Sequence, residues 1–284
     1  MIALVDVLQR TTRYFQERGV PSARLDAELI LAHILGLERV ALYLQFDRPL
    51  SAEELEALRP LVRRRGAREP LAHVLGVKGF YKHDLYSPSG VLVPRPDTET
   101  LVEAALALLP EDQDLFVADV GTGTGAVGLS LLAARPRLKL FATDLSAEAL
   151  AATRENAKRL GLTDRVAALR GPLLTPIPAA RVIDVVVSNP PYIPTAQIDT
   201  LSPEIREHEP RLALDGGADG LDVYRALIPE AARRARRAVL VEVGDGQARE
   251  VSALFEAAGL TNVRTTADLS GTARVVEGRI AEGR

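Results

Sequence analysis

The tetrapeptide Asn189-Pro190-Pro191-Tyr192 directly follows the apolar run Asp184-Val185-Val186-Val187-Ser188. The run reads as a buried strand, and open α/β sheets place their ligands beyond the carboxyl ends of such strands. The four residue types suit a planar nitrogen with two hydrogens and a delocalised lone pair, as in a carboxamide or the exocyclic amine of a base. Asn189 offers a carbonyl oxygen to one N–H. Pro190 and Pro191 have fixed φ and no N–H, so the turn is stiff and a proline carbonyl is expected to take the second hydrogen. Tyr192 supplies a flat face for the amide or base to lie against. Asn189, Pro190 and Tyr192 are therefore the candidate catalytic residues, and Pro191 joins them in holding substrate. A Pro-Pro loop merely leaving a strand is the bland alternative, and the full tetrapeptide behind a hydrophobic strand argues against it.

A second constellation lies upstream, where Leu115-Phe116-Val117-Ala118-Asp119-Val120 runs into Gly121-Thr122-Gly123-Thr124-Gly125 and Ala126 opens a helix. Glycines let the chain turn sharply and let a ligand approach the backbone. Asp144 ends the next strand, where an acidic residue can accept hydrogen bonds from both ribose hydroxyls of an adenosine-containing cofactor. The letters Gly123 to Gly128 also fit the dinucleotide fingerprint GxGxxG. Asp119 adds negative charge beside the loop and no hydride-transfer site follows, which favours a positively charged sulfonium over a pyrophosphate. No Lys follows the glycines, so a Walker A loop is excluded.

Strands and helices that would position these groups alternate from residue 115 onward, which predicts a parallel sheet with helices on both faces. Strands are expected over 115–120, 138–143, 166–169, 184–188 and 238–243, with helices over 126–134, 147–160, 221–236 and 247–258. The tail, 263–266 and 274–276 around Ser270-Gly271, reads as a hairpin that brings an antiparallel strand to the sheet edge. Upstream, 98–109 is an amphipathic helix, and 78–85 and 91–93 read as short strands. Residues 1–75 read as an all-helical module, with Ser51 and Glu54 in a capping-box pattern. The expected organisation is a helical recognition domain over 1–75, a β-hairpin linker over 76–96 and a catalytic domain over 97–284.

The chain has 284 residues, a net charge of −3 and no Cys. Disulfides, thiolate catalysis and Cys-ligated zinc are thereby excluded. His33, His73, His83 and His208 are scattered without metal-ligand spacing, so no metal is expected. The acidic balance gives no overall electrostatic footprint for nucleic acid. Two basic clusters, Arg63-Arg64-Arg65 with Arg68 and Arg233-Arg234 with Arg236-Arg237, read either as solvated helix faces or as a local nucleic-acid patch. No segment approaches about 18 apolar residues and the first eight resemble no leader, so a cytoplasmic protein without membrane association is expected.

Glycine loop, ribose acid and Asn-Pro-Pro-Tyr strand end, in this order, resemble a class I S-adenosylmethionine-dependent methyltransferase acting on nitrogen. Phe80-Tyr81, Val93 to Glu99, Ser188 to Ile193, Glu209-Pro210 with Ala213-Leu214, Gly216 to Leu221 and Asp268 to Gly271 narrow the resemblance to the PrmC/HemK family. That family methylates the glutamine of the Gly-Gly-Gln motif in peptide chain release factors. The resemblance implies a Rossmann-like α/β fold with a mostly parallel seven-stranded sheet and an antiparallel edge strand. It implies that Gly121, Thr122, Gly123, Thr124, Gly125, Asp144 and Asn189 hold S-adenosylmethionine. Asn189 to Tyr192 would hold the glutamine, with Arg95 and Phe80 bordering the pocket. Asp97 stands where the family usually has Glu. Gly171-Pro172-Leu173-Leu174 replaces the usual acidic residue and aromatic, so Leu173 is expected on the adenine. A monomer acting on release factors without stable nucleic-acid binding follows. A DNA or RNA adenine amino-methyltransferase is the alternative, because the same tetrapeptide suits a flipped adenine.

Overall fold

The computed structural model describes residues 2–281. These fall into two compact units, one running to Gly76 and including Ser202–His208, the other comprising Val77–Leu201 and the chain from Glu209 onward.

In the larger unit, β3 (Val77–Phe80) and β4 (His83–Tyr86) form a hairpin and α6 (Glu99–Leu106) follows a 3-10 turn at Pro96–Thr98. Alternation then begins with β5 (Leu115–Val120), α7 (Ala126–Ala134), β6 (Leu138–Asp144), α8 (Ala147–Arg159), β7 (Val166–Arg170) and β8 (Ile183–Ser188). It ends with α10 (Asp222–Arg234), β9 (Ala235–Glu242), α11 (Ala248–Ala257), β10 (Thr261–Ala267) and β11 (Ala273–Arg279). The seven-stranded sheet has the order β10-β11-β9-β8-β5-β6-β7. β5 to β9 are parallel, and β11 runs antiparallel to both β9 and the edge strand β10. This is the class I methyltransferase arrangement expected.

Buried parallel strands read as continuous apolar runs because both faces are covered. In β8, Val185 and Val187 join one core with Leu101 of α6 and Leu129 of α7. Val186 points into the other core with Tyr224 of α10 and Phe255 of α11. The order reverses at β5, which pairs with β6 on one side and β8 on the other, and this switch point is where such sheets bind ligands. Two local expectations differ. Residues 91–93 form no strand, and Val91 and Leu92 instead wall the cavity described below. α6 stops at Leu106 because Leu108 and Leu109 switch to tighter i→i−3 bonds ahead of Pro110.

The smaller unit packs α1 (Leu4–Gln16), α2 (Ala23–Leu35) and α4 (Ala52–Gly66) around Leu8, Phe15, Ile30, Leu31 and Leu58. Ser51 and Glu54 make the reciprocal capping box, and Gly36 closes α2 in the left-handed conformation. The unit is not wholly helical, since Ile2 and Ala3 pair with Leu50 and Pro49. α9 (Pro203–Arg206) belongs here as well. Its Glu204 takes hydrogen bonds from Arg68 Nε at 2.6 Å and from Arg65 Nη2 at 3.2 Å. Arg65 is buried and also donates to Asp26 at 2.7 Å. The cluster at Arg64, Arg65 and Arg68 is therefore neither a solvated face nor a free cationic patch, Arg64 being paired with Glu69. Among the described residues no helix is long and apolar enough to cross a membrane.

A buried guanidinium that loses a carboxylate partner is strongly destabilising. Asp26→Ala should lower the unfolding free energy by about 3 kcal/mol in urea denaturation, with Asp26→Asn costing less.

Candidate active site

A cavity of about 240 Å³ opens beyond the carboxyl ends of β5, β6 and β8. Its wall brings together Gly121, Gly123, Asp144, Leu173, Asn189, Pro190 and Pro191. The two constellations meet because Val120 and Ser188 are register partners, so Gly121 and Asn189 leave adjacent strands side by side. Ser188 Oγ donates to the Val120 carbonyl at 2.7 Å and ties the two ends together.

The glycine loop is held by backbone bonds from Gly121 and Thr122 to the Thr143 carbonyl at 2.9 and 3.0 Å. Gly121 and Gly123 have φ of +70° and +57°, and a Cβ on either would project into open space. That combination of left-handed backbone and vacant volume beside a cavity is what a ligand lying against the peptide needs. Thr122, Thr124 and Gly125 do not line the wall. Thr122 and Thr124 are buried, and a Cβ on Gly125 would strike Leu129 at 2.8 Å. These three shape the loop from beneath.

Asp119 also turns inward. Its Oδ2 accepts from Thr122 Oγ1 at 2.8 Å and from the Gly128 N–H at 3.0 Å, bracing loop against helix. Burial pushes its pKa up to about 6. The carboxyl that faces the cavity is Asp144, whose Oδ2 accepts from Gly123 N–H at 3.0 Å and Oδ1 from Ser146 N–H at 2.9 Å. Each oxygen keeps a lone pair for a ligand hydroxyl. Burial raises this pKa, opposed by those backbone donors. Leu173 sits at φ +48° with its carbonyl held by Thr143 Oγ1 at 2.7 Å, and its side chain shares an apolar wall with Val91 and Leu92. The stretch where the family usually carries an aromatic is thus filled by aliphatic groups from two segments.

At the other end, Asn189 Nδ2 donates to Thr98 Oγ1 at 3.1 Å, which leaves Oδ1 as the amide atom for a ligand. The Tyr192 carbonyl accepts from Gln247 Nε2 at 2.9 Å, and its ring lies so close to Gly244 that a Cβ there would meet Cδ2 at 2.9 Å. Burial pushes the phenol up to about 12, so Tyr192 is neutral near pH 7 and no base. Bonds from Ile193 to Leu214, from Gly216 to Ile193 and from Thr195 to Gly217 clamp the turn from behind.

Three expected substrate-side positions lie off the cavity wall as well. Phe80 is 2% exposed and belongs to the core with Leu85 and Leu101, so it does not border the pocket. Arg95 is committed to Glu209 at 2.6 Å. Tyr192 stands behind Asn189 to Pro191 rather than in the wall. Conversely, the wall includes Ser146, Ala149 and Leu212, which carry no motif, and Gly171 and Pro210, which stood in family stretches without an assigned role. The one signal for this last segment is Leu212, a large apolar side chain left 56% exposed at the rim.

Residues 6–76 match the PrmC N-terminal domain and residues 97–217 the methyltransferase small domain. The chain is 44% identical over 276 residues to the release factor glutamine methyltransferase of Geobacter sulfurreducens, covering 96% of this chain and 95% of the relative. It belongs to the release factor glutamine methyltransferase family. A second member, from Caulobacter vibrioides, is 46% identical over 93% of this chain and 91% of its own. The human METTL16 catalytic domain, solved with a MAT2A 3′UTR hairpin, superposes with a TM-score of 0.54. It is 16% identical over 68% of this chain and 74% of that one, a likeness of fold alone.

Asp119 yields a test within this family member. Its folded pKa, about 6, lies above the ordinary carboxylate value. Between those two values the folded state holds a proton that the unfolded state has lost, so this carboxyl costs stability progressively as pH rises towards 6 and fully above it. Asp119→Asn, which keeps one acceptor oxygen, should therefore narrow the stability difference between pH 5 and pH 8 in chemical denaturation. An unaltered pH slope would show that Asp119 titrates normally.

Proposed function

We infer that this protein transfers a methyl group from S-adenosylmethionine to the side-chain amide nitrogen of the glutamine in the Gly-Gly-Gln motif of peptide chain release factors. The observation that carries the reading is the amide of Asn189, presented beside a glycine loop at adjacent strand ends in a chain of this family.

The cavity fits the cofactor on its own geometry. Gly121 and Gly123 offer bare peptide, Asp144 offers acceptors for a ribose, and Leu173 with Val91 offers an apolar face for an adenine. When bound, S-adenosylmethionine supplies an electrophilic methyl group on a sulfonium.

An amide nitrogen is a weak nucleophile, so the work of the protein is positioning and electrostatics. Asn189 Oδ1 and the Pro190 carbonyl take the two N–H groups and fix the nitrogen. The same acceptors favour positive charge as it develops there. The nitrogen–methyl bond forms as the methyl–sulfur bond breaks to leave S-adenosylhomocysteine, and the now acidic N–H gives its proton to water, so no strong base is required. Pro190 and Pro191 lack N–H groups and cannot compete for those acceptors. Tyr192, neutral and wedged against Gly244, backs the turn from outside the cavity. The helical unit, residues 1–75 in this reading, binds the folded release factor, the protein works as a monomer, and its place is the cytoplasm.

A nucleic-acid amine has less support. Of the two basic clusters, Arg64, Arg65 and Arg68 are neutralised by carboxylates and Arg234 and Arg237 are engaged by the Ile177 carbonyl and by Gln113, so that Arg63, Arg233 and Arg236 are what is left exposed.

The test is transfer of labelled methyl from S-adenosylmethionine to a purified release factor, with the same factor carrying Ala for the motif glutamine, a short Gly-Gly-Gln peptide, tRNA and DNA run alongside. Label should appear on the intact factor and, at much higher KM, on the peptide. Asn189→Ala should lower kcat by about 100-fold while changing cofactor affinity little. Label on nucleic acid, or on the factor without its glutamine, would overturn the reading.

A further inference from the structure

Behind Asn189 a line of polar atoms leads from the cavity into the sheet. Its first member is Thr98, 4% exposed at the end of the 3-10 turn that opens α6. The side chain of Thr98 also faces the carboxyl of Glu242, which is 1% exposed and which burial pushes up to about 7. Glu242 ends β9, one residue after Val241, the register partner of Ser188. Asn189 and Glu242 thus leave neighbouring strands at the same level, with Thr98 between them. The backbone of Glu242 is fixed, since the buried Tyr224 hydroxyl donates to its carbonyl at 2.8 Å. The second carboxyl oxygen, Oε2, is buried with no hydrogen-bond partner. A buried acceptor left incomplete is costly, and a site that keeps one has a use for it.

Thr98 has a single hydroxyl proton. With Glu242 ionised and that proton turned to its carboxyl, the oxygen facing Asn189 is an acceptor, and the amide presents Nδ2 to it. Oδ1, the one acceptor of the amide, is then left for the cavity. A reversed amide would set Oδ1 against the Thr98 oxygen, two acceptors face to face. It would also offer N–H groups to a substrate nitrogen that itself carries N–H groups.

We propose that Thr98 and Glu242 are positioning residues that lock the Asn189 amide with Oδ1 towards the substrate nitrogen. The proposal rests on the glutamine reading above, but a different comparison decides it. Neither residue touches the cavity wall, so their effect is exerted through Asn189. Arg274, the nearest cation on β11, is held by Asp97, Asp245 and Asp268 at 3.4, 3.1 and 3.1 Å, so Thr98 is the group left to hold the carboxyl in place.

Thr98→Val keeps the side-chain shape and removes the hydroxyl, whereas Thr98→Ser keeps the hydroxyl and removes the methyl. Both are compared with the wild-type protein on the intact release factor, and binding of S-adenosylhomocysteine by calorimetry serves as the check that each is folded. Thr98→Val should lower kcat about tenfold or more with a smaller change in KM, and Thr98→Ser should keep most of the wild-type kcat. If Thr98→Val does not bind S-adenosylhomocysteine, Thr98→Ala takes its place in the same contrast with Ser. A Val or Ala variant within about twofold of wild type, or a Ser variant as slow as Val, would overturn the lock. Absence of transfer by the wild-type protein would instead count against the glutamine reading.

Discussion

The parallel pairing of β5 with β8 is the constraint on which the site depends. Val120 and Ser188 end these strands as partners, and the Ser188 hydroxyl on the Val120 carbonyl pins the ends at 2.7 Å. A one-residue slip in this register would turn every side chain of β8 to the opposite face. It would carry Asn189 away from the glycine loop and bury the wrong valines. The hydrophobic cores on both faces, which separate Val185 and Val187 from Val186, hold the register that catalysis needs. Packing and chemistry here are one requirement.

Around that pair, buried carboxyls are divided by task. Asp119 lies under the loop and ties it to α7, Asp144 faces the cavity, and Glu242 ends the strand beside Asn189. The sequence reading placed the charge of Asp119 beside the ligand; its actual partners are Thr122 and Gly128. α7 also tolerates no side chain at Gly128, where a Cβ would come within 2.9 Å of Asp119 Oδ2.

The alternation of strands and helices was legible because each buried strand is an unbroken apolar run and each turn has its Gly or Ser signal. Gly121, Gly123, Asp144 and Asn189 to Pro191 could likewise be assembled from strand ends, whereas Leu173 was expected only from the family resemblance. What stayed hidden depends on partners far away in sequence. Arg65 and Arg68 read as surface charges because Glu204, which neutralises them, is 139 and 136 residues distant. The segment from Thr195 to Ala213 follows no period, being built of short 3-10 turns and a four-residue helix. Phe80 was expected at the pocket from the family resemblance, yet strand alternation sends it with Leu85 into the core. Thr98 stood in the stretch Val93 to Glu99 without a role of its own, and Glu242 carried no signal, since a single Glu is common anywhere.

The account's central claim is that two acceptors at the end of β8 hold the glutamine amide, and a crystal structure with S-adenosylhomocysteine and a Gly-Gly-Gln peptide tests it most directly. The account predicts the glutamine side-chain nitrogen within hydrogen-bond distance of both Asn189 Oδ1 and the Pro190 carbonyl. A glutamine seated elsewhere, or an Asn189 amide that meets it through Nδ2, would contradict the account.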